Sequence, residues 1–308
     1  MKTILVTGGA GLIGEALCKR LLDGGNRVIC VDNFITSSKA NIKDLSKNPN
    51  FVLIEDDITN NISELLDKKR IKVNEIYHLA CPTGVPNIAK MPFEMLRTSS
   101  IGTEKILNIA LKHKAQFLFT SSSEIYGDPL VFPQKEDYAG NADPTGPRSP
   151  YEEGKRFAES LILSYVRKLG LDAKIVRLFN TYGPKRYEDL RVTTKFLKFA
   201  KANKPIPVEG DGSQKRTFCY VDDLVEALIL IMKKGKRGEV YNAGSDTQVS
   251  ILELANLVKF ATNSKSSIKF VKRPAHDHQA RLPDLTKLKS LGWRQNIGIY
   301  EGLKKTAI

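Results

Sequence analysis

Short apolar runs alternate with helical patterns along the first half of the chain. Strands are predicted at Thr3–Thr7, Arg27–Asp32, Phe51–Glu55, Glu75–Leu79, Gln116–Ser121 and Lys174–Leu178. Helices are predicted between them at Gly11–Leu22, Pro92–Lys112 and Tyr151–Leu169. This alternation indicates an α/β fold with a parallel sheet covered on both faces, and right-handed crossovers make such a sheet doubly wound.

The pattern changes after Asn180. Loops are marked by Gly183-Pro184, Pro205, Pro207 and EGDGS (209–213), helices are predicted at Asp222–Lys233 and Ile251–Ala261, and a short strand at Glu239–Asn242. We expect a smaller, mixed α/β C-terminal domain with the site at the seam. The predicted division is 1–178 and 179–308, with parts of 217–245 able to return to the first domain.

The composition supports a globular core but carries a strong basic excess. Of the 308 residues, 41% are hydrophobic, and 48 basic against 34 acidic side chains give a net charge of +14. This charge fits nucleic acid, an acidic membrane surface or an anionic small substrate. Nucleic acid is the least favoured of these, because aromatic residues are not interleaved with the basic ones as a base-stacking surface requires.

Other classes are disfavoured by what the sequence lacks. No apolar stretch approaches the ~20 residues that span a bilayer, and MKTILVTGG enters the first strand without a signal-like region. The four cysteines form no CxxC pair, and the histidines stand alone or in one short pair (Cys18, Cys30, Cys81, Cys219; His78, His113, His276, His278). We therefore expect a cytoplasmic protein with reduced thiols, no membrane association and no metal site.

A glycine-rich turn follows the first predicted strand. TGGAGLIG places Gly8, Gly11 and Gly14 in GxxGxxG spacing before the first helix, where glycines allow close approach to a pyrophosphate. Asp32 ends the second strand, where a carboxylate can accept both ribose hydroxyls and repel a 2′-phosphate. The predicted cofactor is therefore NAD in a Rossmann-type domain; the alternative is an Asp that only caps the turn.

Tyr151 and Lys155 lie in YEEGK at the start of a predicted helix. Their i,i+4 spacing puts both side chains on one face. A nearby ammonium favours the phenolate and lowers the tyrosine pKa, so Tyr151 can take a proton from a sugar hydroxyl. The alternative is an ordinary amphipathic pair.

The segment SSSEIYG (121–127) ends a buried strand with three hydroxyls and a carboxylate, which by themselves also fit a solvated loop. Together with the glycine turn and YEEGK, it resembles the extended short-chain dehydrogenase/reductases that act on nucleotide sugars. In that family a Ser or Thr after the fifth strand hydrogen-bonds the reacting hydroxyl. By motif position that residue here is Ser122.

The resemblance is strongest to the family's UDP-glucuronate decarboxylase branch and runs from Lys2 to nearly the last residue. It rests on ACPTG (80–84), SSSEIYGDP (121–129), GPRSPYEEGKR (146–156), RLFNTYGP (177–184), GDGSQKRTFCYVDDLV (210–225), RLPDL (281–285) and LGWRQNIGIYEGLKK (291–305). It implies NAD-dependent decarboxylation of UDP-glucuronate to UDP-xylose through a transient 4-keto sugar. The alternatives are 4,6-dehydration, 4-epimerisation or 4-oxidation, or a basic NAD-fold protein that binds RNA or regulates.

Ser123 and Glu124 distinguish the branches. Oxidation at carbon 4 of a glucuronate creates a ketone β to the carboxylate, so carbon dioxide can leave, and carbon 5 must then be protonated. The resemblance assigns Glu124 to this region. Related 4,6-dehydratases carry an Asp where Ser123 stands, and 4-epimerases usually lack the Glu, so the pair favours decarboxylation over both.

The resemblance also supplies the remaining site residues. The predicted catalytic residues are Ser122, Ser123, Glu124, Tyr151, Lys155 and Arg281. The predicted cofactor-binding residues are Gly8, Gly11, Leu12, Ile13, Gly14, Asp32, Asn33, Phe34, Thr36, Asp57, Ile58, Leu79, Ala80, Thr98, Tyr151, Lys155 and Thr181. The predicted substrate-binding residues are Arg97, Asn180, Arg191, Arg216, Tyr220 and Arg281. The arginines suit phosphate and carboxylate oxygens, and each also fits a solvated surface position.

Departures from the branch concentrate around the expected sugar pocket. Ile88 and Lys90 stand where tyrosines are common, Arg97 and Ser99 where the pattern has Lys and Asn, and Lys105 where it has a substrate-site Asn. The sugar and the nucleotide base therefore stay open. The resemblance further implies a homodimer through a four-helix bundle, for which Pro92–Lys112 and Tyr151–Leu169 are the candidate helices.

Overall fold

The computed structural model describes residues 1–184, 191–272 and 281–307. Its strands are β1 Thr3–Thr7, β2 Arg27–Asp32, β3 Phe51–Glu55, β4 Glu75–His78, β5 Gln116–Ser122, β6 Ala173–Leu178, β7 Thr181–Tyr182, β8 Ile206–Glu209, β9 Lys215–Thr217, β10 Cys219–Tyr220, β11 Val240–Ala243, β12 Gln248–Ser250 and β13 Ile268–Val271. Its helices are α1 Leu12–Asp23, α2 Ile62–Lys68, α3 Val85–Lys90, α4 Pro92–Arg97, α5 Thr103–His113, α6 Ser149–Leu169, α7 Val192–Lys201, α8 Val221–Lys234, α9 Ile251–Ala261, α10 Thr286–Ser290 and α11 Ile299–Ala307.

Seven strands form one parallel sheet in the order β11-β6-β5-β4-β1-β2-β3. The strand order reverses beside β1, which pairs with β2 on one side and β4 on the other. In doubly wound sheets ligands bind outside the carboxyl ends of the strands at such a reversal. The predicted α/β fold class is therefore confirmed.

Both faces of this sheet are buried, which explains its continuous apolar strands. In β1, Ile4 packs into the hydrophobic cluster that also holds Leu17 of α1 and Leu224 of α8. The adjacent Leu5 points the other way, into the cluster that holds Ile162 of α6. Helices thus cover the sheet from both sides and leave its carboxyl edge open for a site.

The long helix predicted at Pro92–Lys112 is interrupted. α4 and α5 are joined by one turn of π-helix, Thr98–Gly102, in which the Thr103 hydroxyl donates to the Thr98 carbonyl at 3.2 Å. Gly102 lies so close to Ile58 that a Cβ there would come within 2.6 Å of it. Such turns are frequent at functional sites, and this one brings Thr98 to the cavity described below.

The region after residue 178 contributes three two-stranded pairs, β7 with β10, β8 with β13, and β9 with β12. It also returns one strand, β11, to the edge of the seven-stranded sheet beside β6. Across the described ranges, no helix is long and apolar enough to cross a membrane.

Candidate active site

One large cavity, of about 1160 Å³, opens at the carboxyl ends of the sheet strands. Its glycine-turn end is formed by Gly8, Gly11, Gly14, Asp32 and Asp57. Its Glu124 end is formed by Ser123, Glu124 and Arg148, with Arg281 buried behind Glu124. The volume exceeds that of a typical small-molecule site and suits two ligands side by side.

The glycine turn is shaped by close backbone contacts. Gly8 has φ +70°, and a Cβ there would lie 2.8 Å from the Ala80 backbone nitrogen. A Cβ on Gly14 would lie 2.1 Å from the Gly8 carbonyl oxygen, so α1 begins directly against the turn. Gly11 differs, because its nearest neighbour would be 3.4 Å away and it lines the cavity. Because Gly11 has no side chain, the first turn of α1 is open to a phosphate. A dinucleotide's pyrophosphate binds at such a helix N-terminus.

Asp32 combines two roles that the sequence left as alternatives. Its Oδ2 accepts a hydrogen bond from the Ala10 N–H at 2.9 Å, and its Oδ1 accepts from the Phe34 N–H at 2.9 Å and the Ser37 hydroxyl at 2.8 Å. The carboxylate therefore fixes the glycine turn. It also lines the cavity, and its two oxygens offer about four acceptor positions in all, so it can still accept from a ribose hydroxyl.

Most predicted cofactor residues line the cavity. These are Gly8, Gly11, Leu12, Ile13, Gly14, Asp32, Asn33, Thr36, Asp57, Ile58, Leu79, Ala80, Thr98, Tyr151, Lys155 and Thr181. Phe34 is the exception: its side chain packs against the core and only its backbone N–H serves the site, by holding Asp32. A motif position gives no information about which way the ring turns.

Arg97 lies near Asp57, at the glycine-turn end of the cavity. Burial raises the pKa of the Asp57 carboxyl, but hydrogen bonds from Thr59 and Asn33 and the charge of Arg97 lower it by more. Asp57 accepts from the Asn33 amide at 2.7 Å. Arg97 lines the cavity and its charge acts on Asp57, while its predicted substrate-binding role stays a prediction.

Ser122, Tyr151 and Lys155 converge at the centre of the cavity. The Ser122 hydroxyl lies near the Tyr151 phenol and lowers its pKa. The Lys155 ammonium donates to the Thr120 carbonyl at 2.8 Å and lies 4.5 Å from the centre of the Phe119 ring. Tyr151 and Lys155 are supplied by the first two turns of α6, and Ser122 by the end of β5.

The predicted lowering of the tyrosine pKa is not present in this geometry. Burial, followed by the nearby Cys81 and Glu124, raises the pKa of Tyr151 against the hydrogen bond from Ser122. Burial also lowers the pKa of Lys155. Burial is the largest cause of both shifts, and the i,i+4 spacing alone does not reveal how deeply the two groups are buried.

Glu124 is held from two sides. Its Oε1 accepts from Arg281 Nη1 at 2.6 Å, and its Oε2 pairs with Arg148 Nη2. Arg281 Nη1 also reaches the Ser123 hydroxyl at 3.2 Å, and its Nη2 reaches the Gly127 carbonyl at 3.2 Å. The structure thus brings together three predicted catalytic residues separated by up to 158 positions in the sequence.

Arg148 is a site residue that the sequence analysis missed. It precedes α6, lines the cavity and, through Nε, donates to Glu152 at 3.2 Å. Burial lowers the pKa of Arg148, but the charges of Glu124 and Glu152 raise it by more. The available signal was the i,i+4 spacing of Arg148 and Glu152 within GPRSPYEEGKR.

A buried glutamine fixes the segment that carries Arg281. The Gln134 side-chain oxygen accepts from the Leu282 N–H at 2.8 Å, and the Gln134 backbone exchanges hydrogen bonds of 2.8 Å with Leu282 and Asp284. The Asn242 amide of β11 donates to the Gln134 and Asp284 carbonyls at 3.0 and 3.2 Å. Gln134 and Asn242 are fully buried. Arg281 is therefore positioned by buried hydrogen bonds that no local sequence motif predicts.

The remaining predicted substrate residues separate into two groups. Asn180, Arg191 and Arg216 line the cavity. Tyr220 does not, because its ring packs at 5.5 Å against Tyr182 and is almost completely buried. The substrate-binding role predicted for Tyr220 stays a prediction, although its ring is buried outside the cavity lining.

The departures noted in the sequence also separate. Ile88 and Lys90 line the cavity. Lys105 does not; its ammonium donates to the Thr59 carbonyl at 2.5 Å, so it does not stand in for a substrate-site amide. Ser99 faces α6, where it lies 3.1 Å from the position of a Cβ on Gly154.

No group of three or more His, Cys, Asp and Glu side chains within 1–184, 191–272 and 281–307 is placed to hold a metal ion. His276 and His278 lie outside the described residues.

The cavity can be compared with those of known proteins. UDP-glucuronic acid decarboxylase 1 of Arabidopsis thaliana is 42% identical over 304 residues, covering 98% of this chain and 68% of that protein. UDP-glucose 4-epimerase of Thermotoga maritima, solved with UDP-glucose, aligns with a TM-score of 0.90 at 30% identity, covering 99% of this chain and 97% of that one. UDP-glucuronic acid 4-epimerase of Bacillus cereus, solved with UDP-glucuronic acid and NAD, aligns with a TM-score of 0.88 at 29% identity, covering 99% and 98%.

The predicted resemblance is thereby confirmed. The GDP-mannose 4,6 dehydratase family matches residues 5–306, which is almost the whole chain. The relatives named above modify nucleotide sugars, as the glycine turn, Tyr151 and Lys155 indicated. The chain belongs to the GDP-mannose 4,6 dehydratase family, within the extended short-chain dehydrogenase/reductases that act on nucleotide sugars.

Proposed function

We propose that this protein decarboxylates UDP-glucuronate to UDP-xylose, with NAD as its resident cofactor. The activity is that of its 42% identical relative. The observation that carries the proposal is the Glu124 end of the cavity, where Ser123, Glu124, Arg148 and Arg281 form one charged cluster beside Tyr151. Cations held in fixed positions can bind the carboxylate of an acidic sugar, and a fixed glutamate beside them can guide a proton.

The glycine-turn end fits NAD. The bare Gly11 at the N-terminus of α1 accommodates the pyrophosphate, and Asp32 accepts from the adenosine ribose. A second negative charge on that ribose would face the Asp32 carboxylate, so NADP is disfavoured. When bound, NAD takes a hydride from carbon 4 of the sugar and returns it later in the same turnover.

Tyr151 is the proposed base for the 4-hydroxyl. Tyr151 and Ser122 both line the cavity, so a sugar hydroxyl placed between them can contact both oxygens. Burial raises the Tyr151 pKa, so the phenolate is scarce at neutral pH and the rate should climb as the pH is raised. Lys155, fixed by the Thr120 carbonyl, orients the ribose beside it.

The Glu124 end handles the carboxylate. Once carbon 4 is a ketone, the bond between carbons 5 and 6 breaks, carbon dioxide leaves and its electron pair remains as an enolate. Arg281 and Ser123 stabilise the oxygens of the departing group, and Glu124 organises the proton that adds to carbon 5. Overall, UDP-glucuronate and one proton give UDP-xylose and carbon dioxide, with no net oxidation of the cofactor.

Asn180, Arg191 and Arg216 are proposed to bind the nucleotide diphosphate. All three line the cavity. Guanidinium forks match phosphate oxygens with two hydrogen bonds each. The base of the nucleotide is assigned as uracil by the relatives alone, whose substrates are UDP sugars.

The specific rival is 4-epimerisation of the same sugar, because the Bacillus cereus structure is that of a UDP-glucuronic acid 4-epimerase. That reaction keeps the carboxylate and inverts carbon 4. Dehydration is a weaker rival, since Ser123 is a poor acid and already contacts Arg281.

The protein is further proposed to form a homodimer through α4 to α6. Phe93, Leu96 and Ile101 on one side and Phe157 on α6 are exposed, at 75%, 41%, 41% and 51%. Two copies that pair these faces would bury them in a four-helix bundle. Phe157→Glu should give monomers by sedimentation, whereas a dimer of unchanged stability would refute this interface.

The function is tested by product analysis. The purified protein with catalytic NAD is given UDP-glucuronate, UDP-glucose or dTDP-glucose, and the products are identified by mass. UDP-xylose from UDP-glucuronate alone is the expected result. UDP-galacturonate would favour the epimerase, and a 4-keto-6-deoxy product from either glucose nucleotide would favour the dehydratase.

A further inference from the structure

Among the described residues, Glu124 pairs with two arginines on different parts of the fold. Arg281 belongs to the segment held by Gln134, whereas Arg148 immediately precedes α6, the helix that carries Tyr151. One carboxylate oxygen faces each guanidinium. The two cations therefore tie Glu124 to different elements.

The surroundings of the two arginines differ as well. The Arg281 side chain is only 6% exposed, and its Nη1 is shared between Glu124 and Ser123. The Arg148 side chain is 20% exposed, lines the cavity and is anchored at its other edge by Glu152, whose side chain is 4% exposed. Arg148 is thus a bridge between two carboxylates, one of them in the first turn of the helix that holds the proposed base.

We propose that Arg148 is a positioning residue that keeps the Glu124 carboxylate ionised and fixed relative to Tyr151. It is attached to α6 through Glu152, so Glu124 and Tyr151 are held by the same helix end. Arg281 can then engage the anionic substrate without leaving Glu124 unpaired. The proposal deepens the proposed function and rests on it only for its effect on turnover.

The charges that face Glu124 set the sign of the test. Arg148 and Arg281 stabilise its ionised form, while Glu152 and an ionised Tyr151 oppose it. Removing Arg148 takes away one cation that pairs with Glu124 and leaves the acidic neighbours Glu152 and Tyr151. The carboxyl should therefore hold its proton to a higher pH.

The direct test is an NMR titration of the full-length protein labelled with ¹³C at the glutamate side-chain carboxyl. The Glu124 signal is assigned by its loss in Glu124→Gln. In Arg148→Gln the titration midpoint of Glu124 should move up by about one pH unit or more. Arg148→Lys keeps the charge but not the two-edged contact, so it should move the midpoint by less. Arg167→Gln, near the other end of the same helix and exposed, is the charge-matched control and should leave it unchanged.

An unchanged midpoint in both Arg148 variants would overturn the proposal, as would an equal shift in Arg167→Gln. If Arg148→Gln does not fold, Arg148→Lys decides by the same criterion. This titration needs no substrate, so it remains decisive even if the wild type makes no UDP-xylose and the proposed function fails. If UDP-xylose is made, the acidic limb of the kcat profile should move to higher pH by the same amount in Arg148→Gln, while a limb that stays in place would contradict the positioning role.

Discussion

The glycine-turn end of the cavity is built largely from backbone, whereas the Glu124 end is built from charged side chains. At the first, Gly8 and Gly14 approach neighbouring backbone so closely that a Cβ would not fit, and Asp32 is fixed by two backbone N–H groups. At the second, Glu124, Arg148 and Arg281 come from distant segments and hold one another.

This difference suggests a division of labour. A backbone cradle fixes a ligand common to the whole family and tolerates little change. A charged cluster can be altered one residue at a time, so it can set the chemistry that follows the first oxidation. We therefore expect that a substitution at one end of the cavity leaves the function of the other end intact.

The largest effect is expected where the two ends meet. Tyr151→Phe keeps the ring and removes the hydroxyl that is the proposed base, which lies near Ser122. Turnover should fall by a factor on the order of 100 or more, because general base catalysis is lost. Bound NAD, measured after denaturation of the purified protein, should be unchanged. Near-normal turnover would mean that another group is the base.

Asp32→Ala tests the glycine-turn end alone. Loss of a charge-assisted hydrogen bond of ~1.5–3 kcal/mol should weaken NAD binding by roughly 10- to 100-fold. The matched control is Glu55→Gln, the register partner of Asp32 on β3, which forms an exposed ion pair with Lys39. Calorimetry should find NAD affinity reduced only in Asp32→Ala. Equal affinities for NAD and NADP in the wild type would contradict the assigned role of Asp32.

Gln134→Leu tests the Glu124 end through the support of Arg281. The substitution removes the side-chain hydrogen bond that holds Leu282, at a cost of about 1 kcal/mol. We expect kcat/KM for UDP-glucuronate to fall roughly tenfold while NAD binding is kept. The control is Gln116→Leu. Gln116 begins β5, at the end of the strand away from Ser122, and its side-chain amide donates to Asp172, so kcat/KM should be unchanged. A loss of NAD in Gln134→Leu would show that the two ends are not independent.

How far the sequence predicts these two ends follows from their construction. The glycine turn, Asp32, Tyr151 and Lys155 are local patterns whose spacing has a direct physical meaning, and the structure gathers them in one cavity. Arg148 was overlooked because its role depends on Glu124, 24 positions away, and the role of Gln134 depends on a segment 148 positions away. Neither contact produces a pattern of hydrophobic and polar residues that could be recognised in the sequence.

The orientation of a side chain is hard to predict from sequence for the same reason. Tyr220 and Phe34 occupy family motif positions, but the orientation of each side chain is decided by its neighbours: Tyr220 is buried in the core, and the partly buried Phe34 packs against it. The π-turn at Thr98–Gly102 was also not predicted, because helical periodicity continues across it. The predicted doubly wound α/β class of fold needed only the alternation of strands and helices and is confirmed, whereas the division into 1–178 and 179–308 stays a prediction.

The smallest effect at neutral pH concerns the interior beneath the glycine turn. His78 lies between the Thr7 hydroxyl at 2.7 Å and the Thr103 hydroxyl at 3.1 Å, and burial, with the charge of Lys155, lowers its pKa to about 3. The His78 ring therefore stays neutral in the native protein, whereas in the unfolded chain it gains a proton below pH ~6.5. Stability contributed by His78 should be present above that pH and be lost as the pH falls toward 3.

The measurement is urea unfolding at pH 7, 5.5 and 4.5 for the wild type and His78→Gln. The variant should be less stable at pH 7 but lose stability less steeply, by up to about 1.4 kcal/mol per pH unit at the lower values. Parallel pH dependence in the two proteins would show that His78 is protonated in the native state.

The central claim is that hydride leaves and returns to carbon 4 while the carboxylate is lost. It is tested most directly with UDP-glucuronate that carries deuterium at carbon 4 and ¹³C at carbon 6. The account predicts UDP-xylose with deuterium retained at carbon 4, all the ¹³C in carbon dioxide, and NAD oxidised at the end. Retention of ¹³C in a nucleotide sugar inverted at carbon 4, or a 4-keto sugar accumulating with one equivalent of NADH, would contradict it.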